Sequence, residues 1–219
     1  MAKIICVFGD SIAYGAWDEE KGGWVNRLRL FLDSNLISNK FSSAWTFVYN
    51  LGIESNTSEN LLERFENEAK ERFWNKSGNK NYKKDNILIF EIGKNDSIYK
   101  GAKDNAWVKI DQFEKNLNEL IKKSKKFTNK IIFIGLANID ESKTIFYNKP
   151  EENYCNENIE KYNLIVKKVC RENKVDFIET MNILNKEDLE DGLHPNSQGH
   201  QKIFKKIKDF LLKNNLIER

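Results

Sequence analysis

Proline, histidine and cysteine are nearly missing from this chain: its 219 residues hold two, two and three of them. With so little proline and no change of composition along the chain, no linker or low-complexity tract divides it, and residues 1–219 are expected to form one domain. Cys6, Cys155 and Cys170 have no metal-ligand spacing and leave one over after any pairing, which argues against a disulfide framework. The first residues carry no basic leader followed by an apolar core and a small-residue cleavage site, so a reduced, cytoplasmic protein is expected. No apolar run approaches the roughly 20 residues that span a bilayer, which excludes stable membrane insertion. The formal net charge of +3 is too small to argue for a nucleic-acid or anionic-membrane partner. The lysine-rich runs Lys122–Lys126 and Lys205–Lys208 sit in helical patterns and read as solvated faces. Nucleotide fingerprints are missing too, since no Gly-x-Gly-x-x-Gly follows the first apolar run and no Gly-Lys-Ser/Thr loop occurs.

What the chain does have is alternation. Five runs rich in β-branched and aromatic residues stand out: Lys3–Phe8, Trp45–Leu51, Asn86–Ile92, Lys130–Leu136 and Val175–Ile178. Three of them, IICVF, ILIFEI and IIFIGL, are almost continuously apolar, the mark of strands buried on both faces of a parallel sheet. Helical spacing fills the intervals: Trp24, Leu28, Phe31 and Leu32; Leu61, Leu62, Phe65 and Phe73; Trp107 to Ile121; then about 152–171 and about 197–212. Strands alternating with helices predict a three-layer α/β/α sandwich around a five-stranded parallel sheet. The long irregular connection Asn138–Asn153 is of the kind that carries a lid or binding role.

In open α/β sheets ligands gather outside the carboxyl ends of the strands. Polar clusters follow four of the five runs: Gly9-Asp10-Ser11, Asn50 to Ser58, Gly93 to Ser97, and Asp191 to His200. Acyl transfer by a serine needs a hydroxyl, a base, a group orienting the base, and donors for the oxyanion. Ser11 supplies the hydroxyl. Of the two histidines, His194 lies three residues after Asp191 on a Gly-Leu turn and just before Pro195, which discourages helix there. His200 falls on the following helix, where packing or a surface role is expected. Two histidines without a cysteine cluster make a thin ligand set for a metal, and acyl transfer by a serine requires neither metal nor organic cofactor, so none is expected. Asp10 is the competing carboxylate, and bracing the Ser11 turn is its expected role. Oxyanion donors would be the Ser11 N–H, the Asn95 amide and a backbone N–H from the Gly52–Thr57 loop.

Taken together, these blocks resemble the GDSL family of the SGNH hydrolase superfamily. The likeness runs through FGDSIAYG, NLGIESNTSENLLERF, IFEIGKNDS and DGLHPNSQGH, in that order. It implies a flavodoxin-like strand order of 2-1-3-4-5, with Ser11 as nucleophile, Asp191 and His194 as acid and base, and Asn95 in the oxyanion hole. One position departs: the family's Gly-Asp-Thr stands here as Ser55-Asn56-Thr57, so the expected oxyanion glycine falls on Ser55. A serine keeps the backbone N–H but adds a side chain beside the acyl carbon, which would favour small acyl groups. The expected partner is a small-molecule acyl ester, with the oligomeric state left open. Thioesterase or lysophospholipase activity at the same residues, and noncatalytic ligand binding on the same fold, are the rival readings. Tyr14, Trp17, Trp24, Phe146 and Tyr147 are candidates for packing or for lining an acyl or glycosyl pocket.

Overall fold

The computed structural model describes residues 3–40, 45–73, 85–144 and 151–218. Phe146 and Tyr147 lie outside them. Five parallel strands make the central sheet: β1 (Lys3–Gly9), β2 (Thr46–Gly52), β3 (Ile87–Glu91), β4 (Lys130–Ile134) and β5 (Asp176–Ile178). Their spatial order is β2-β1-β3-β4-β5, the arrangement the family resemblance implied. The helices are α1 (Ser11–Tyr14), α2 (Trp24–Ser38), α3 (Ser58–Arg72), α4 (Ile110–Ser124), α5 (Asn156–Asn173) and α6 (Ser197–Lys213).

Side chains alternate across the sheet, as the period of two requires. Ile5 and Val7 of β1, Ile87 and Ile89 of β3, and Ile132 and Ile134 of β4 join the core formed with α1, α2 and α6. Cys6, Phe8, Leu88, Phe90, Ile131 and Phe133 face α3, α4 and α5. On that second face Phe8, Phe90 and Phe133 stand in register across three strands, with ring centroids 5.8 and 4.9 Å apart. Phe65 of α3 packs edge-on against Phe8 at 5.1 Å. The three cysteines are buried and free.

Two helical boundaries differ from the sequence pattern. Trp107 lies before α4, because its N–H bonds Ile98 O at 2.7 Å and holds the chain in a loop. Glu152 and Asn153 pair antiparallel with Tyr99 and Lys100 in a short ribbon, which delays α5 until Asn156. Tyr154, just past that ribbon, is thereby carried toward the end of β3.

The strand ends set the site. Gly9, Gly52 and Glu91 are in register at the carboxyl ends of three adjacent strands. Gly52 is forced by proximity: a Cβ there would stand 2.2 Å from Tyr14 N and 2.7 Å from Asp10 O. Its bare backbone lets α1 sit directly on β2.

The segment between α1 and α2 is anchored by a buried ion pair. Asp18 takes Arg27 Nε at 2.7 Å and Arg27 Nη2 at 2.8 Å, and also accepts the N–H groups of Gly23 and Lys21. Both side chains are essentially withdrawn from water. Burial alone would raise the Asp18 carboxyl, but the Arg27 and backbone donors outweigh it and hold it well below the usual carboxylate range. Removing Asp18 leaves the buried Arg27 charge with only the exposed Glu20 carboxylate, at 3.1 Å, and the Gln201 amide oxygen, at 2.7 Å, as partners. Asp18→Ala is therefore expected to lower the unfolding free energy by about 3–5 kcal/mol, read as a fall in the urea midpoint at pH 7.

Candidate active site

Ser11 opens α1, one residue beyond the β1 strand and its Asp10 cap. Asp10 is extended, and its Oδ1 accepts the Ile12 N–H at 2.9 Å, which fixes the turn from strand to helix. The Ser11 N–H belongs to the first turn of that helix, where no intrahelical acceptor exists.

His194 and Asp191 arrive from the other end of the chain, on the loop entering α6. Gly192 between them has φ +88°, and a Cβ there would meet Asp140 O at 2.7 Å, so the turn requires glycine. Ser11 Oγ stands 2.9 Å from His194 Nε2, and His194 Nδ1 stands 2.7 Å from Asp191 Oδ2. The other carboxylate oxygen, Oδ1, accepts the backbone N–H groups of Leu193 and His194 at 2.9 and 2.8 Å. Partial burial acts to raise the Asp191 carboxyl, but the His194 contacts and these N–H bonds prevail and hold it below its ordinary range. An ionised Asp191 accepting from Nδ1 leaves the Nε2 lone pair facing the serine hydroxyl.

Asn95 begins a short 3-10 turn after β3. Its Oδ1 accepts the Tyr154 hydroxyl at 2.6 Å, and its Nδ2 donates to Asn56 O at 3.0 Å. The amide is thus oriented with its NH2 toward the β2–α3 loop. Arg64 of α3 braces the same loop, bonding Asn56 Oδ1 at 2.7 Å, Leu51 O at 2.9 Å and Gly9 O at 3.1 Å. Ser55 is exposed, has φ +59°, and its N–H has no partner among the described residues. The position that glycine was expected to fill does have a left-handed backbone, and serine occupies it.

The remaining candidates divide by burial. His200 is fully buried, donating from Nε2 to Ala16 O at 3.0 Å and accepting the Trp24 N–H on Nδ1, so it stitches α6 to the α1–α2 segment. Trp24 is buried and bonds Glu91 Oε2 at 2.7 Å, whereas Tyr14 and Trp17 remain half exposed beside the serine turn. Among the described residues no group of three or more His, Cys, Asp or Glu could hold a metal ion, and no helix is long and apolar enough to cross a membrane.

A sequence profile of the GDSL-like lipase/acylhydrolase family matches residues 5–207. The chain belongs to that family. It is accordingly a hydrolase of ester bonds. None of the curated proteins is significantly similar in sequence. Among solved structures, Axe2, an acetylxylan esterase from Geobacillus stearothermophilus, is similar at 20% identity with a TM-score of 0.66, the match covering 96% of this chain and 92% of Axe2. LAE5, an α/β-hydrolase enzyme from the metagenome of Lake Arreo, Spain, is similar at 19% identity and a TM-score of 0.66, covering 99% of this chain and 96% of LAE5. Variants of Axe2 described as catalytic mutants replace a serine, an aspartate and a histidine by alanine.

Within this GDSL-family scaffold, a second group of charges lies buried beneath the serine turn. Asp10, Glu91 and Lys94 are each almost wholly inaccessible. Burial pushes Glu91 up to about 8, with Asp10 adding to the effect. Burial also lowers Lys94, to about 8, against the pull of Asp10 and Glu91. Glu91 holds its proton in the folded state well above the ~4.3 of an unfolded glutamate. Its contribution to stability is complete below that value and is lost as pH rises through about 8. Unfolding free energy should therefore decline from about pH 5 to 8. Glu91→Gln should make the decline shallower without abolishing it, because burial raises Asp10 and Asp96 too. Urea titrations at pH steps across that window measure the slope.

Proposed function

We propose that the chain is a serine esterase that removes small acyl groups from carbohydrate-like alcohols through an acyl-serine intermediate. The observation that carries this reading is the continuous hydrogen-bonded chain Ser11 Oγ, His194 and Asp191, at 2.9 and 2.7 Å. In the first step Ser11 Oγ bonds to the ester carbonyl carbon while His194 Nε2 takes the hydroxyl proton. Asp191 holds the imidazole in the right tautomer and stabilises the imidazolium. The carbonyl oxygen becomes an oxyanion, met by the N–H groups of Ser11 and Ser55 and the Asn95 amide. Collapse breaks the bond to the alcohol oxygen, which leaves with the proton from His194. Water then adds to the acyl carbon by the same route, releasing the acid and restoring Ser11.

The small-acyl preference is supported by Ser55, whose hydroxymethyl group stands where the family resemblance expects glycine. The carbohydrate preference is supported by the half-exposed rings of Tyr14 and Trp17 next to the serine turn and by the fold shared with an acetylxylan esterase. Apolar ring faces suit sugar faces.

Ser11→Ala should abolish turnover of p-nitrophenyl acetate, Asp191→Asn should lower it by ~10⁴, and Asn95→Ala by ~10²–10³. Steady-state kinetics on folded variants check these values, and full activity in Ser11→Ala would refute the mechanism. Across a series from acetyl to palmitoyl esters, kcat/KM should be highest for acetyl, and acetylated xylo-oligosaccharides should release acetate. A maximum at long chains would overturn the substrate class while leaving the mechanism standing.

A further inference from the structure

We propose that Trp17 is a positioning residue for the Asp191–His194 pair, fixing the carboxylate through its indole N–H and limiting how strongly that carboxylate retains a proton on the imidazole. The inference rests on the catalytic reading of Ser11, Asp191 and His194 given above.

Trp17 Nε1 donates to Asp191 Oδ2 at 2.9 Å, onto the same oxygen that faces His194 Nδ1 at 2.7 Å. With Oδ1 taken by two backbone N–H groups, every donor on this carboxylate competes for one delocalised charge. The indole also stands edge-on to the imidazole, with ring centroids 5.9 Å apart and planes at 88°. One side chain thus touches both members of the pair.

Burial does not explain this placement, because Trp17 is 54% exposed. Backbone preference does not either. Its φ is +67°, a left-handed conformation that is an outlier for so bulky a residue. Such a conformation persists only where the surroundings over-determine it. Here both neighbours are anchored: Ala16 N bonds Ser11 O at 3.0 Å, Ala16 O accepts from buried His200, and Asp18 is locked to Arg27. The segment is built to present one indole N–H to one carboxylate oxygen.

An N–H bond to a carboxylate stabilises its charged form and spreads its charge. Without the Trp17 bond the charge on Asp191 is less dispersed, and its Oδ2 draws the proton on His194 Nδ1 more strongly. The other titratable groups that act on the pair are Asp10 and His200, coupled to His194, and Lys94 and Tyr154, coupled to Asp191, with burial keeping the Tyr154 hydroxyl un-ionised. None of them is a hydrogen-bond partner of the Trp17 side chain, which donates to Asp191.

The test is Trp17→Phe, which keeps a ring and removes the N–H, with kcat/KM for p-nitrophenyl acetate followed from pH 5 to 9. The acidic limb should move to higher pH by roughly half a unit, and kcat should fall about tenfold with KM nearly constant. An unmoved limb in an active Trp17→Phe enzyme overturns the proposal. Ser11→Ala is assayed alongside: if it retains activity, the catalytic reading fails and this proposal with it. If it is inactive and the Trp17→Phe limb stays put, only the role of Trp17 is rejected. Should Trp17→Phe not fold, the unaltered protein decides by NMR. Its five tryptophans give five indole N–H signals, one of which should titrate with the midpoint of the acidic limb. If none does, the proposal is overturned.

Discussion

A hydrogen bond between residues 183 positions apart, from Ser11 to His194, is the constraint around which the rest is arranged. One such bond stabilises by only about 1 kcal/mol, too little to hold two loops in place. The loops are therefore fixed by other means. Asp10 caps α1 from below, and Asn50 reaches from β2 to bond Ala13 O at 2.8 Å. On the far side, Glu190 N bonds His194 O at 2.9 Å, Asn196 caps α6, and Lys202 pairs with buried Asp188 at 2.5 Å. The serine and the imidazole meet because each sits on an independently rigid turn.

The strand ends also collect charge that the sheet interior would reject. Asp10, Glu91, Lys94 and Asp96 are buried there, and each has its ionisation displaced by desolvation. Asp96 shows how such a group is tolerated: it accepts the Ser58 N–H and hydroxyl, and Ser58 in turn accepts from Asn116. That network ties the start of α3 to the turn holding Asn95. The rigidity of the proposed oxyanion donor thus comes from groups that, singly, oppose folding.

Much of this was legible in the residues. The apolar runs located all five strands to within two residues: β1, β3 and β4 are buried on both faces, which leaves little ambiguity, whereas the partly exposed β2 and β5 were marked by their β-branched and aromatic residues. The order of those strands was not readable from periodicity, which says nothing of lateral neighbours; it came from the family resemblance. Ser11 and Asn95 could be singled out because each closely follows a strand end in a polar block, and Asp191 and His194 because they share one polar block beyond the last strand in a chain with only two histidines. Tyr154, Arg64 and Trp17 could not be assigned, since their partners Asn95, Gly9 and Asp191 lie 59, 55 and 174 positions away. Trp17 left one local trace, its place between a Gly15 turn and the Asp18 anchor, but no residue spacing distinguishes such a tryptophan from a packing one. Trp107 misled for a similar reason. Its helical spacing is real, yet a backbone bond to Ile98 keeps it out of α4.

The central claim is that the Ser11 hydroxyl is a nucleophile activated by His194, and covalent trapping tests it most directly. Intact-mass and peptide mapping after treatment with a fluorophosphonate should find one adduct per chain, carried on the peptide containing Ser11 and formed far more slowly in His194→Ala. A folded protein that takes no adduct, or takes it on another residue, would contradict the account.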